Sequence, residues 1–370
     1  MLDGSAYPHI LDAVLEQADF SGLLALRAAS HALRDAADAR LAAHVRLHIP
    51  CGVHVHAPAR LVDVRLDTRL LRERMRRLEV RSLVAPGGKL PVFMHWAGAI
   101  APVRVRAPTP PGDSESTVSP ENRQAATARR AARRAARARC AAALAKAEVV
   151  DVTAFPAAWM VEGAADLVKA LRARMYRFHG PWCAWGRPLN AATAVVFTPL
   201  LMGRAGEWVI PCPFTTYRGS RLVFNLTGFR VLDPGETVFP PTADTLNLVS
   251  AAEVVINFTG IADNTQETPP GHLGLMFPTA RIIFRNPTAR FTLVGAESVD
   301  PAIWGDLCAA QHHDLPRCVV QIVNRLRTWY PNFWNAEAIA TLPKRIAMYT
   351  LDEYTTVLGE ARYILHSPPT

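Results

Sequence analysis

An α/β (α+β) architecture, with an N-terminal three-helix module and a C-terminal parallel β/α region, follows from three features of the 370-residue sequence. Apolar residues recur at helical spacing through the first 45 residues. Short β-branched runs recur through the C-terminal half, mostly 25 to 45 residues apart, with candidate helices between some of them. Two of those runs align residue for residue, 32 positions apart.

The helical module comes first. Ile10, Leu11, Val14, Leu15 and Ala18 fall on one helical face. Asp19 or Ser21 can cap the next turn, and Leu23, Leu24 and Leu26 supply a second apolar surface. Ser30 can cap a third helix carrying Leu33, Ala37, Leu41 and Val45. Three short helices bury too little surface to stand alone, so the remaining apolar face needs a partner or the rest of the chain. One reading is a helical cap whose leucines face inward on a larger domain.

The other reading is a resemblance. Tyr7-Pro8-His9-Ile10-Leu11, then Val14-Leu15, Asp19-Phe20, Leu23-Leu24-Ala25-Leu26-Arg27, Ser30 and Leu33-Arg34 follow the order and gaps of an F-box. That segment resembles the F-box domain of fungal F-box-like proteins, with Tyr7 where Leu is usual and Leu33 where Trp is common. The resemblance implies a non-catalytic substrate adaptor of a Skp–cullin–F-box ubiquitin ligase. Pro8, Ile10, Leu11, Leu15, Leu23, Leu24 and Leu33 would then contact or support a Skp-type adaptor, and through it a cullin. Helix-in-groove docking is the general physics of such contacts.

The next runs, Val62-Asp63-Val64-Arg65-Leu66, Leu78 to Val84 and Val103-Arg104-Val105-Arg106, alternate and read as strands. From Ala107 to Arg123 the composition turns to Pro, Ser, Thr, Gly and Glu, which predicts a disordered linker. An Ala/Arg stretch from Arg123 to Lys146 follows and should be helical. Eight Lys or Arg against two Glu between Glu121 and Glu148 account for most of the net charge of +9. The rest of the chain is close to neutral, which argues against a basic face throughout. At helical pitch Arg129, Arg133 and Arg137 line one side, with Arg130 and Arg134 beside them. Arg129, Arg130, Arg133 and Arg134 are candidates for nuclear import or phosphate contact, against the plainer reading of a solvated linker helix. The absence of interleaved aromatics argues against base stacking on single strands.

In the C-terminal half the runs are Val149 to Val152, Ala194 to Phe197, Leu222 to Phe224, Val254 to Ile256, Ile282 to Phe284, Cys318 to Ile322 and Arg345 to Met348. Helical candidates are Gly163 to Arg177 and Trp334 to Leu342. The aligned pair is Leu222-Val223-Phe224-Asn225-Leu226-Thr227-Gly228 and Val254-Val255-Ile256-Asn257-Phe258-Thr259-Gly260. Repetition at this period predicts either a degenerate leucine-rich-repeat-like curved parallel sheet or an open α/β domain without true repeats. Asn225 and Asn257 are either rungs of an asparagine ladder or plain strand-to-turn junctions. The predicted organisation is a helical module at 1–48, first strands at 49–106, linker and basic helix at 107–147, and a substrate-recruiting domain at 148–370.

Other classes lack signatures. The sequence has no GxSxG, GxGxxG, phosphate loop or HExxH, so no catalytic residue, cofactor or metal is expected. His312-His313-Asp314 has no spaced third ligand and reads as a polar loop. Gly180-Pro181-Trp182-Cys183-Ala184-Trp185-Gly186 reads as a turn packed on aromatics. Trp304, Trp329, Tyr330, Phe333 and Trp334 close the last third as core, cap or docking edge. No run of 18 apolar residues occurs, and the N-terminus has no signal-peptide pattern. Six scattered cysteines suit a reducing compartment. The expected setting is the cytoplasm, the nucleus or both, away from membranes, with an unknown protein substrate. A ligase-independent repeat scaffold, or a nucleic-acid-associated protein using the Arg-rich helix, are the alternatives.

Overall fold

The computed structural model describes residues 8–18, 20–29, 31–48, 79–82, 124–125, 127–128, 131, 135, 138, 142, 145–153, 172–180, 189–202, 208–214, 216–231, 251–262, 274–309, 314–329 and 334–359. The chain forms two compact units: Met1–Pro50, Asp67–Val150 and Trp159–Ala173 make the first, and Cys51–Leu66, Asp151–Ala158 and Arg174–Thr370 the second. The fold class is mixed helix and strand with a mostly parallel sheet.

In the first unit, helices α1 (Pro8–Gln17), α2 (Phe20–Ala29) and α3 (His31–Ala42) lead into β1 (His44–His48). Pro8 opens α1, where its fixed φ suits the first turn and its missing N–H costs nothing. The third helix stops at Ala42, so Val45 belongs to a strand and not to the helix its spacing suggested. The physical reason is the chain's next partner. β1 pairs antiparallel with β2 (Glu79–Ser82), Val45 facing Ser82, and the Ala43 carbonyl accepts the Glu148 and Val149 amides at 2.8 and 3.0 Å. A backbone already committed to those bonds cannot continue an α-helix.

The second unit is built on parallel strands. β3 (Val149–Thr153), whose last three residues belong here, is followed by β4 (Met175–His179), β5 (Leu189–Asn190), β6 (Thr193–Met202), β7 (Trp208–Val209), β8 (Tyr217–Arg218), β9 (Arg221–Val231), β10 (Glu253–Asn257), β11 (Arg290–Val294) and β12 (Ile346–Tyr349). The sheet order is β12-β11-β10-β9-β6-β4-β3, and each neighbouring pair from β4 to β12 is parallel. Neighbours in space are therefore neighbours along the chain once the short pairs β5–β8 and β6–β7 are set aside. The central strands are buried on both faces, which is why they read as continuous apolar runs without polar alternation.

Among the described residues, the α-helices of this unit are α4 (Thr259–Ala262), α5 (Met276–Arg285), α6 (Asp306–Ala309), α7 (Leu315–Trp329), α8 (Ala336–Arg345) and α9 (Leu351–Leu358). Three sequence expectations fail here. Ile282 to Phe284 lies in α5 and Cys318 to Ile322 in α7, where strands were expected. In α7 the buried set is Leu315, Cys318, Val319, Ile322, Val323 and Leu326, a helical period longer than the five-residue window that suggested a strand. Met175 to Arg177, expected to end a helix, instead forms β4 against β6. The alternation Met175/Arg177/His179 on one side and Tyr176/Phe178 on the other is the strand period of two. Val149 to Val152, Ala194 to Phe197, Leu222 to Phe224 and Val254 to Ile256 are strands as read; the run Arg345 to Met348 is a strand from Ile346, with Arg345 ending α8, and α8 overlaps the helical candidate Trp334 to Leu342 and runs three residues past it. Val62 to Leu66 and Val103 to Arg106 lie outside the described residues.

The aligned segments stack rung on rung. β9 and β10 pair with Arg221 opposite Glu253 and Asn225 opposite Asn257. Asn257 Nδ2 donates to Asn225 Oδ1 at 2.9 Å, while Asn257 Oδ1 accepts the Thr259 amide at 3.0 Å and the Thr259 hydroxyl at 2.9 Å. Both readings of the asparagines thus hold at once, a two-rung ladder whose second rung also fixes the turn into α4. The matched glycines serve different ends. Gly228 takes φ of 132° beside the register shift between β6 and β9, a conformation L side chains avoid. A Cβ on Gly260 would sit 2.4 Å from the Leu226 carbonyl oxygen, so the close approach of α4 to β9 requires its absence.

Candidate partner-binding faces

In the helical module, Leu15, Leu23 and Ala37 make a small buried core, with Leu11, Ala18, Leu26 and Ala36 packed around it. The apolar face expected of α1 is therefore two adjacent stripes. Leu11, Leu15 and Ala18 point into the module's own core, while Ile10 and Val14, one turn apart, are 52% and 45% exposed. Leu33 is half-buried on α3, and Leu24 lies within α2. Of the five singled-out residues whose side chains are described, Leu15 and Leu23 hold the module together, Leu11 and Leu33 are half-buried, and Ile10 is turned to solvent.

The basic segment is only partly described. Gln124, Ala125, Thr127, Ala128, Ala131, Ala135, Ala138 and Ala142 are helical and exposed, as the composition predicted. Arg129, Arg130, Arg133 and Arg134 lie outside the described residues, as do His312 and His313. Asp314 is described, and its carboxylate accepts the Arg317 amide at 3.1 Å in the first turn of α7, the work of a helix cap. The aromatic group at the end of the chain divides. Trp304 is buried edge-on against Phe258 (centroids 5.1 Å), and Trp334 is buried with its Nε1 donating to the Phe284 carbonyl at 2.7 Å. Arg345 lies over the Trp334 ring at 5.3 Å. These two indoles are core. Tyr330 and Phe333 lie outside the described residues.

One face of the parallel sheet carries a cluster that the sequence reading missed. In register across the strands run His179, Phe197, Asn225, Asn257 and Val294, with Arg177, Val195, Val223, Val255 and Thr292 in the row beside them. Asp151 on β3 is fully buried. Its Oδ1 lies 2.9 Å from His179 Nε2 and 3.3 Å from Arg177 Nε. The His179 ring stacks on Phe197 (4.8 Å, 12° between planes), and the Arg177 guanidinium sits 5.4 Å from the same ring's centre. A buried carboxylate is tolerable only with such compensation. The signal was present as Arg-x-His at strand spacing, but a helix had been expected there. Farther along, Arg221 and Glu253 form an ion pair (2.6 Å), and the Thr292 hydroxyl reaches Glu253 at 3.2 Å.

The apolar part of this face is covered by α9. Tyr354 and Leu358 pack on Val195, Phe197, Val223, Val255 and Val294, with Leu351, Met175 and Tyr349 at the margin. Thr350 and Glu353 form a capping box that turns the chain into α9, the Glu353 carboxylate accepting the Thr350 amide at 2.8 Å and the Thr350 hydroxyl accepting the Glu353 amide at 3.2 Å.

The described cysteines, Cys212, Cys308 and Cys318, are buried free thiols. Burial pushes Cys212 and Cys308 each up to about 12, and raises Cys318, whose thiol hydrogen-bonds with that of Cys308. Among the described residues no group of three His, Cys, Asp or Glu is placed to hold a metal ion, and no helix is long and apolar enough to cross a membrane. The architecture is that of an α/β protein with an ordered parallel sheet. Comparison with known proteins finds no matching family model, no matching curated protein and no matching solved structure.

Proposed function

We propose that this chain is an F-box-like, non-catalytic adaptor. Its helical module docks a Skp-type adaptor of a cullin-based ubiquitin ligase, and its C-terminal unit, a degenerate leucine-rich-repeat-like parallel β/α array, recruits a protein target. The observation that carries the reading is the split of α1 into two stripes. Leu11 and Leu15 belong to a core internal to the module, so Ile10 and Val14 are left as an apolar pair with no structural duty in it. Two apolar anchors at i and i+4 are what a helix offers to a groove on another protein. The in-register stacking of the 32-residue copies supports the repeat reading of the second unit. On this reading the protein acts in the cytoplasm or nucleus, needs no cofactor, and leaves ubiquitin transfer to other subunits.

The test is a pulldown of the full chain with a purified Skp-type adaptor. Wild type should bind, and Ile10→Asp/Val14→Asp should lose at least tenfold in affinity with an unchanged circular dichroism spectrum and melting curve. Leu23→Asp, by contrast, should disrupt the module itself, because Leu23 is fully buried. A wild-type chain that ignores the adaptor would end this reading and favour a ligase-independent scaffold.

A further inference from the structure

We propose that β12 is a self-association edge, along which two copies of this chain pair antiparallel about a twofold axis at Met348. β12 ends the strand order, and among the described residues β11 is its one strand neighbour. The backbone fixes which groups point outward. The Gly295 amide donates to the Tyr349 carbonyl at 2.9 Å, so in a parallel ladder Ala347 and Tyr349 face β11 while Ile346 and Met348 face away. The Ile346 amide is taken by the Pro343 carbonyl at the end of α8. Met348 therefore turns both its amide and its carbonyl outward, the two groups that a hydrogen-bonded pair exchanges in an antiparallel ladder. Its side chain is 39% exposed, and methionine is an adaptable apolar residue enriched at interfaces. No proline or charge within the four residues blunts the edge.

The charges around the strand select the occupant. Lys344 and Asp352 stand four residues to either side of Met348, both exposed, and among the described residues neither makes an ion pair. Their neighbours are committed elsewhere, Arg345 to the Pro287, Ala289 and Ala338 carbonyls and Glu353 to the Thr350 amide. An antiparallel pair about Met348 brings the Lys344 end of each copy to the Asp352 end of the other. Both contacts are then attractive. A parallel addition would set like charge beside like and leave a further open edge, so it neither matches nor closes. Basic before the strand and acidic after it is the complement that a second copy supplies by symmetry. A four-residue edge makes a small contact, so the dimer is weak and depends on concentration. It lies wholly within the second unit and does not rest on the adaptor reading.

Sedimentation velocity of the full chain from about 1 to about 200 µM tests this. Wild type should move from the 40.5 kDa monomer toward twice that mass. Met348→Pro removes the outward amide but no ladder bond to β11, and should stay monomeric throughout. Lys344→Asp alone and Asp352→Lys alone each put like charges together twice and should weaken association about tenfold. The double exchange Lys344→Asp/Asp352→Lys restores both contacts and should recover it. These two positions are exposed, so they decide the matter even where Met348→Pro fails to fold. A wild-type chain that stays monomeric overturns the proposal and leaves the edge to a strand of another protein. Association unchanged in both single charge variants places the contact elsewhere on the chain. A double exchange that recovers nothing refutes the antiparallel arrangement.

Discussion

Asp151→Ala should be among the most costly single changes in the second unit. The carboxylate is fully buried, and Arg177 beside it is 5% exposed, so the ion pair is screened little by water. At 3.3 Å and an effective dielectric of about 20, the Coulomb attraction is on the order of 5 kcal/mol before desolvation is charged against it. Removing one partner of such a pair costs about 3–5 kcal/mol, because the remaining charge stays buried. The His179 bond at 2.9 Å is lost in the same step, and that side chain is largely buried. With a urea m-value of about 2–3 kcal/mol/M, the midpoint should fall by about 1–2 M. The decisive comparison is Asp151→Leu/Arg177→Met, which removes both charges and refills the volume. It should unfold within about 1 kcal/mol of wild type, far above Asp151→Ala. A loss below about 1 kcal/mol for Asp151→Ala, or a double variant no better than the single, would refute the claim that this cluster is a compensated burial.

Two further changes probe the frame around it. Gly260→Ala drives a methyl to 2.4 Å from the Leu226 carbonyl, a backbone atom fixed in β9, and should cost about 1–3 kcal/mol in chemical denaturation; an unchanged midpoint would mean that α4 slides without penalty. Alkaline pH should weaken the fold through Cys212, which burial lifts from 9.0 to about 12. Above pH 9 the unfolded chain gives up this proton while the folded chain keeps it, so stability is full below pH 9 and falls toward pH 12, by about 4 kcal/mol at 1.36 per unit. Denaturation midpoints from pH 7 to 11 should stay level and then decline, and Cys212→Ala should soften the fall between pH 9 and 10.

The strands and helices differ in how far they could be read. Val254-Val255-Ile256 and Ile282-Ile283-Phe284 look alike over three residues, yet one is a strand and the other a helix. The difference lies in the flanks. Met276, Ala280 and Ile283 continue a helical stripe around the second run, whereas Glu253 and Asn257 bound the first within a strand's length. Met175 to His179 passed unread as a strand because Arg177 interrupts its apolar character, a charge held on the sheet by Asp151 of a neighbouring strand. Arg290 to Val294 opens on an exposed Arg and carries Thr292 among its apolar residues. The pairing of Asn225 with Asn257 was legible because a repeat of 32 residues brings the same position back. The Asp151 cluster was not, since its members are about 26 residues apart and share no repeated pattern. For α1 the apolar residues were legible as a set, but only tertiary packing separates the inward Leu15 from the outward Ile10 and Val14.

The amide rung between Asn225 and Asn257 also determines where this chain can change length. Its two members are set 32 residues apart, and each is locked to its own strand position. Deleting or inserting one residue within β9 or β10 would carry one asparagine to the opposite face and leave the other opposite an apolar neighbour. Residues added between Val231 and Glu253 leave both rungs opposite one another, and even doubling that connection costs only about 0.6 kcal/mol in closure entropy. Divergent descendants of this sequence should therefore vary freely in the length of that connection and hardly at all within the strands, with the asparagine pair as the fixed mark by which to align them.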